Sequence, residues 1–175
     1  MSVSLYSCSI PTYERSLQGF LKVLDKAEAH AQARKFDAGN YLSMRLAPDQ
    51  WPLARQIQAF CDHAKNAAFR LAGKEPPKIE DKETTIAELR QRIAATLELI
   101  KSADPKTIDA AADHDVVFPL GPNKVKMRGV DWLMHFNLPN FYFHLATAYD
   151  ILRSAGVEIG KRDFLGAVPG ITPVS

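Results

Sequence analysis

His63 and His144 are the residues of this sequence whose type and position invite chemistry. His144 lies in NLPNFYFHLATAYDIL (residues 137–152), most of which reads as apolar core filling. Yet Asn137, Asn140, His144 and Thr147 follow one another at steps of three and four, which puts them on one helix face. Two amides, an imidazole and a hydroxyl in line on so apolar a helix face either water or something polar inside the protein. His63 borders the apolar stripe of an earlier helix, flanked at helical spacing by Phe60 and Ala67. Helical bundles build metal sites from inward side chains on facing helices. Two imidazoles with a third donor suit a divalent ion with an open coordination position. The ordinary alternative is that each histidine is a satisfied residue at the edge of a core. Spacing within one helix does not say whether two helices bring the pair together.

The other candidates are weaker. His135 is nine residues from His144, half a turn out of phase on a continuous helix. His114 lies in the Asp-rich ADHDV and His30 among Ala and Gln, so both read as surface residues. Cys61 falls on an apolar stripe and reads as inert packing. Tyr41, Tyr142 and Tyr149 could donate near a pocket, with core packing the default reading, and Trp51 beside Pro52 reads as packing at a helix start. GVEIGKRDFLG has no phosphate-loop spacing.

Four long stretches have the helical period needed to position such residues. The first follows Pro11, which suits a first helical turn, and carries Tyr13, Leu17, Phe20, Leu21, Leu24, Ala27 and Ala31 inward. It should end before FDAGN. The second opens in APDQWPLARQ, with Asp49 as N-cap and Pro52 in the first turn; Leu53, Ile57, Phe60, Cys61, Ala64, Ala68 and Leu71 form its stripe, and Gly73 stops it. The third begins near Thr84 or Thr85 with Glu88 completing a capping box. DPKTIDAA adds a short turn of helix. Next, DVVFPLGPNKVKMRGV alternates on either side of Gly121-Pro122-Asn123, which predicts a β-hairpin. The fourth helix runs from about Pro139 to Ala155, closed by Gly156, and the arm from about 157 to 175 reads as irregular. The expected fold is all-α: one domain over residues 1–175, a four-helix bundle with a small hairpin between helices three and four.

Composition agrees. The 175 residues are 46% hydrophobic and 24% charged, enough apolar material for a proper core, with a net charge of +2. Basic residues are interspersed with acidic ones, so no nucleic-acid partner is expected, and no apolar run suits a membrane span. The opening MSVSLYSCSIPTYERS lacks the pattern of a signal peptide, and the two cysteines are far apart; a reduced, cytoplasmic protein is expected.

FYFHLATAYDILRSAGVEIGKRDFLG (141–166) resembles the C-terminal signature of the DUF1993 family. The likeness runs through nearly the whole chain, including RLAPDQWPLARQIQAFCDHAK (45–65) and FPLG (118–121). DUF1993 proteins resemble in turn the DinB/YfiT-like group of four-helix bundles. In that group a metal is often held by one histidine of the second helix and an HxxxH pair of the fourth. His63 matches the first of these positions and His144 the last; Asn140 stands where the other histidine would be, and Thr147 where a glutamine often follows. An amide oxygen is a poor substitute for imidazole on zinc or nickel. The resemblance therefore implies a divalent metal, zinc or nickel, held weakly by His63, His144 and Asn140, and a homodimer, since such bundles often pair. Two functions remain open: a metal-dependent enzyme of the thiol-transfer type, or a non-catalytic dimeric bundle or small-molecule binder.

Overall fold

The computed structural model describes residues 3–172 and 174. Helix α1 spans Leu5–Ala33 and begins earlier than Pro11 because Ser4 and Ser7 cap its first turn reciprocally. Pro11 therefore lies inside the helix, where its missing N–H leaves the Ser7 carbonyl without a helical donor. Both residues are exposed, so water can serve that carbonyl. A 3-10 helix over Ala38–Ser43 then turns the chain.

Helix α2 spans Leu53–Leu71. Asp49 is not its cap. Pro52 occupies the capping position with extended backbone and no side-chain cap bond. A start at Asp49 would have placed Trp51, the residue before a proline, in the helical region that its steric clash disfavours. At the other end Gly73 adopts φ +68°, and the Lys74 N–H returns to the Phe69 carbonyl, closing the helix as expected. Helix α3, Ile86–Lys101, carries the Thr85/Glu88 capping box, and the short α4, Pro105–Ala110, is capped by Asp104.

Strands β1 (Asp115–Leu120) and β2 (Asn123–Arg128) pair antiparallel with Leu120 opposite Asn123. Val116 and Phe118 point inward, and the Phe118 ring meets Trp132 and Phe136. Helix α5 (Gly129–Asp131), a π-helical run (Trp132–Asn137) and α6 (Leu138–Ser154) then follow without a break. The fourth bundle helix thus starts upstream of Pro139. The wider π turns accommodate that proline: the Leu138 N–H already reaches back five residues to the Leu133 carbonyl. At Gly129 any Cβ would lie 2.1 Å from the Ala111 carbonyl oxygen, so only glycine lets the hairpin return so close.

Helix α2 packs most extensively against α6 and then α3, while α1 closes the bundle chiefly against α3. Tyr13, Phe20, Phe60 and Phe141 meet edge-on at the centre. The C-terminal arm, expected to be irregular, carries the short α7 (Lys161–Leu165). Phe164 packs on Tyr149, and Asp163 pairs with Lys26 at 2.7 Å. Among the described residues no helix is long and apolar enough to cross a membrane.

Candidate functional site

The α2–α6 contact places His63 and His144 side by side. Their rings are nearly parallel, 17° apart in tilt, with centroids 5.6 Å apart. The helical period explains why each reaches this contact: Gln56, Phe60 and His63 share a face of α2, and Phe141, His144 and Ala148 share a face of α6. On the far side of His144 lies Trp51, its ring centroid also 5.6 Å away and tilted by 10°. The Arg55 guanidinium covers the indole at 4.8 Å, and Phe136 meets His63 edge-on at 6.5 Å. His144 Nδ1 lies 2.7 Å from Gln56 Oε1.

The polar stripe on the fourth bundle helix divides its work. Asn137, fully buried, accepts a hydrogen bond from the Tyr13 hydroxyl at 2.5 Å and donates one to the His63 carbonyl at 3.1 Å. It ties α1, α2 and the π run together and thereby steadies the backbone of His63. Asn140 turns back on its own helix, its amide donating to the Phe136 carbonyl at 2.7 Å, and it hydrogen-bonds to neither imidazole. Thr147 is buried one turn beyond His144.

Both imidazoles are held neutral near pH 7. Burial, then repulsion from His144, push His63 down to about 4, against the opposing pull of Asp62. Burial, then the Arg55 charge, lower His144 as well. Asp62 has little charge to spare for them. It accepts from Lys65 at 2.8 Å and from Arg92 at 3.1 Å, and Arg92 also pairs with Asp81 and Glu83. That buried network straps the connector between α2 and α3 to both helices.

Neutral imidazoles are the protonation state a metal needs. Among the described residues, however, no group of three or more His, Cys, Asp or Glu side chains could hold one. The contact therefore brings together two imidazoles, with Asn140 turned back on its own helix, and is not a three-histidine centre.

Sequence reasoning missed Gln56 and the role of Trp51. Gln56 precedes His63 by two helical turns, a spacing that could have singled it out. Nothing local signals that Trp51 folds over His144. His30, expected at the surface, is half-buried with Nδ1 2.6 Å from the Tyr41 hydroxyl, whereas His114 and His135 are exposed. Cys61 is buried, and burial pushes its thiol up to about 12, which leaves it inert at neutral pH.

No curated protein matches this chain. The crystal structure of a DinB family member protein from Shewanella denitrificans superposes with a TM-score of 0.90 at 40% sequence identity, covering 97% of this chain and 96% of that one. The family model of DUF1993, a domain of unknown function, matches residues 5–165, a span that takes in α1 to α7 and both histidines. The bundle is thus DinB-like, and the chain belongs to the DUF1993 family.

Proposed function

We propose that this DinB-like bundle handles a small molecule at the His63–His144 pair, with a weakly held divalent ion, zinc or nickel, shared by the two imidazoles. The observation that supports this reading is the pair itself: two neutral imidazoles on facing helices, 5.6 Å apart. A divalent ion there would lower the pKa of a bound thiol or water and so supply a nucleophile at neutral pH. His63 and His144 hold; the Asn140 carbonyl is a third, poorer donor within one turn; Trp51 shields the outer face of His144 from solvent. Thiol transfer is the enzymatic form of the reading. The arm residues Leu165, Val168 and Ile171 stay exposed, and a second copy covering them would make the protein a homodimer. Light scattering at micromolar concentration should then give a dimer mass, and a monomer mass would remove that part of the reading.

Calorimetric titration of zinc or nickel into metal-free protein tests the site. Weak binding is expected for the wild type, at least tenfold tighter binding for Asn140→His, and none for His144→Ala, which leaves one imidazole. Equal affinity in all three proteins would overturn the proposal. A second reading, a polar pocket that binds a small molecule without metal or catalysis, is favoured by the amide of Asn140 turned back to Phe136. No binding by wild type or Asn140→His would leave that reading standing.

A further inference from the structure

Gln56 is buried, 1% exposed, and both ends of its side-chain amide are engaged. Its Nε2 donates to the Trp51 carbonyl at 3.0 Å, and its Oε1 lies 2.7 Å from His144 Nδ1. The first bond determines the second. A backbone carbonyl accepts and cannot donate, so the amide must present its NH2 to Trp51 and its oxygen to the imidazole. Rotating the amide by half a turn would set two acceptors against each other at Trp51. An amide oxygen likewise only accepts, so His144 Nδ1 must carry the proton. In the neutral ring that leaves Nε2 bare.

The same side chain bears on Trp51 in a second way. Helix α2 starts without a side-chain cap and Pro52 has no N–H, so the chain before it is tied by the Leu53 N–H on the Met44 carbonyl, by Arg55 over the Trp51 ring and by Gln56. The Gln56 amide holds the Trp51 carbonyl at that point, while the Trp51 ring lies against the outer face of His144. One amide therefore grips the covering residue by its backbone and the imidazole by its inner nitrogen.

We infer that Gln56 is the positioning residue of the His63–His144 site: it locks His144 in the Nδ1–H form, presents Nε2 as the nitrogen that binds a ligand or proton, and holds Trp51 over the ring. The inference rests on the proposed site only for the purpose of that nitrogen. The tautomer and the Trp51 contact follow from the hydrogen bonds alone. A hydrogen bond to the second nitrogen of a ligating histidine commonly determines which nitrogen is free, and here a neutral amide takes that part.

Long-range proton–nitrogen correlation spectra of the metal-free protein near neutral pH read the tautomer directly. Wild-type His144 should show a protonated Nδ1 and a bare Nε2, with no averaging. Gln56→Leu and Gln56→Met remove both bonds while keeping apolar bulk. In either variant that is folded by circular dichroism, the single-tautomer pattern should be lost, and iodide should quench Trp51 at least twofold more steeply. Trp132 is buried and should contribute little to that change. A wild-type His144 protonated at Nε2, or a folded variant that keeps the wild-type pattern and quenching, would overturn the inference. Should neither variant fold, the wild-type spectrum alone decides. Zinc affinity is measured in parallel on wild type. A locked tautomer without zinc binding defeats the metal reading and leaves the positioning role intact; zinc binding with an averaged tautomer does the reverse.

Discussion

Replacing His63 by glutamine should remove a specific part of the protein's acid sensitivity. The folded protein holds His63 neutral down to about pH 4, because burial and the neighbouring His144 both oppose its charge. The unfolded chain protonates it below about 6.5. Above 6.5 both states are neutral and the residue contributes nothing to pH dependence. As pH falls through the window from 6.5 to 4, the unfolded state takes up a proton that the folded state refuses, so stability declines. At about 1.4 kcal/mol per pH unit the full loss below that window is about 3 kcal/mol. Between about pH 7.5 and pH 5 it comes to about 2 kcal/mol. Urea unfolding of wild type and His63→Gln at these two pH values isolates the contribution. Carboxylates titrate alike in both proteins and cancel in the difference, while the coupling of His63 to His144 is removed with His63 and belongs to the contribution being read. The variant should lose about 2 kcal/mol less than wild type on acidification. An identical loss in both proteins would show that His63 is not held neutral, and the account of the imidazole pair would fail with it.

Arg92→Met should destabilise the fold by about 2–3 kcal/mol and expose the α2–α3 connector to protease, because Asp62, Asp81 and Glu83 would converge without their shared cation. Unchanged unfolding and cleavage rates would count against the strap. Pro11→Ala should raise stability by about 1–2 kcal/mol in urea unfolding, since it restores an N–H to the Ser7 carbonyl inside α1. A loss of stability there would mean that the ring makes packing contacts outweighing the missing bond. Thr85→Ala should cost about 1 kcal/mol by removing half of the capping box on α3; no change in the urea midpoint would refute the cap's contribution.

The neutral imidazole pair sits beside a charged network without drawing on it. Asp62 neighbours His63 in sequence, yet its carboxylate is taken up by Lys65 and Arg92. The arrangement leaves His63 short of a counter-charge, which is why burial prevails and the ring stays a free base. A network strung differently, with Asp62 turned to the imidazole, would have made His63 a cation and a poor ligand.

Much of the fold is local, and local features are legible in a sequence. The four apolar stripes, the Thr85/Glu88 box, the stop at Gly73 and the turn at Gly121-Pro122 each depend on residues a few positions apart, whose geometry the backbone period dictates. Where structure and local signals part, two local preferences compete. Pro11 favours a helix start, but the Ser4–Ser7 cap upstream outweighs its cost; Pro139 favours another, but the π run absorbs it. The stripe of Asn137, Asn140, His144 and Thr147 was visible as one face, and resemblance to a family paired His144 with His63. Which member of the stripe does what was decided only in three dimensions. Asn137 is claimed by Tyr13, 124 residues away, Asn140 by its own helix, and His144 by Gln56, 88 residues away. Such partners lie outside any helical window, because they depend on how faces dock rather than on how each face is made. Trp51 is the extreme case: no period governs the segment before α2, and only the packed α2–α6 pair gives its ring a surface to cover.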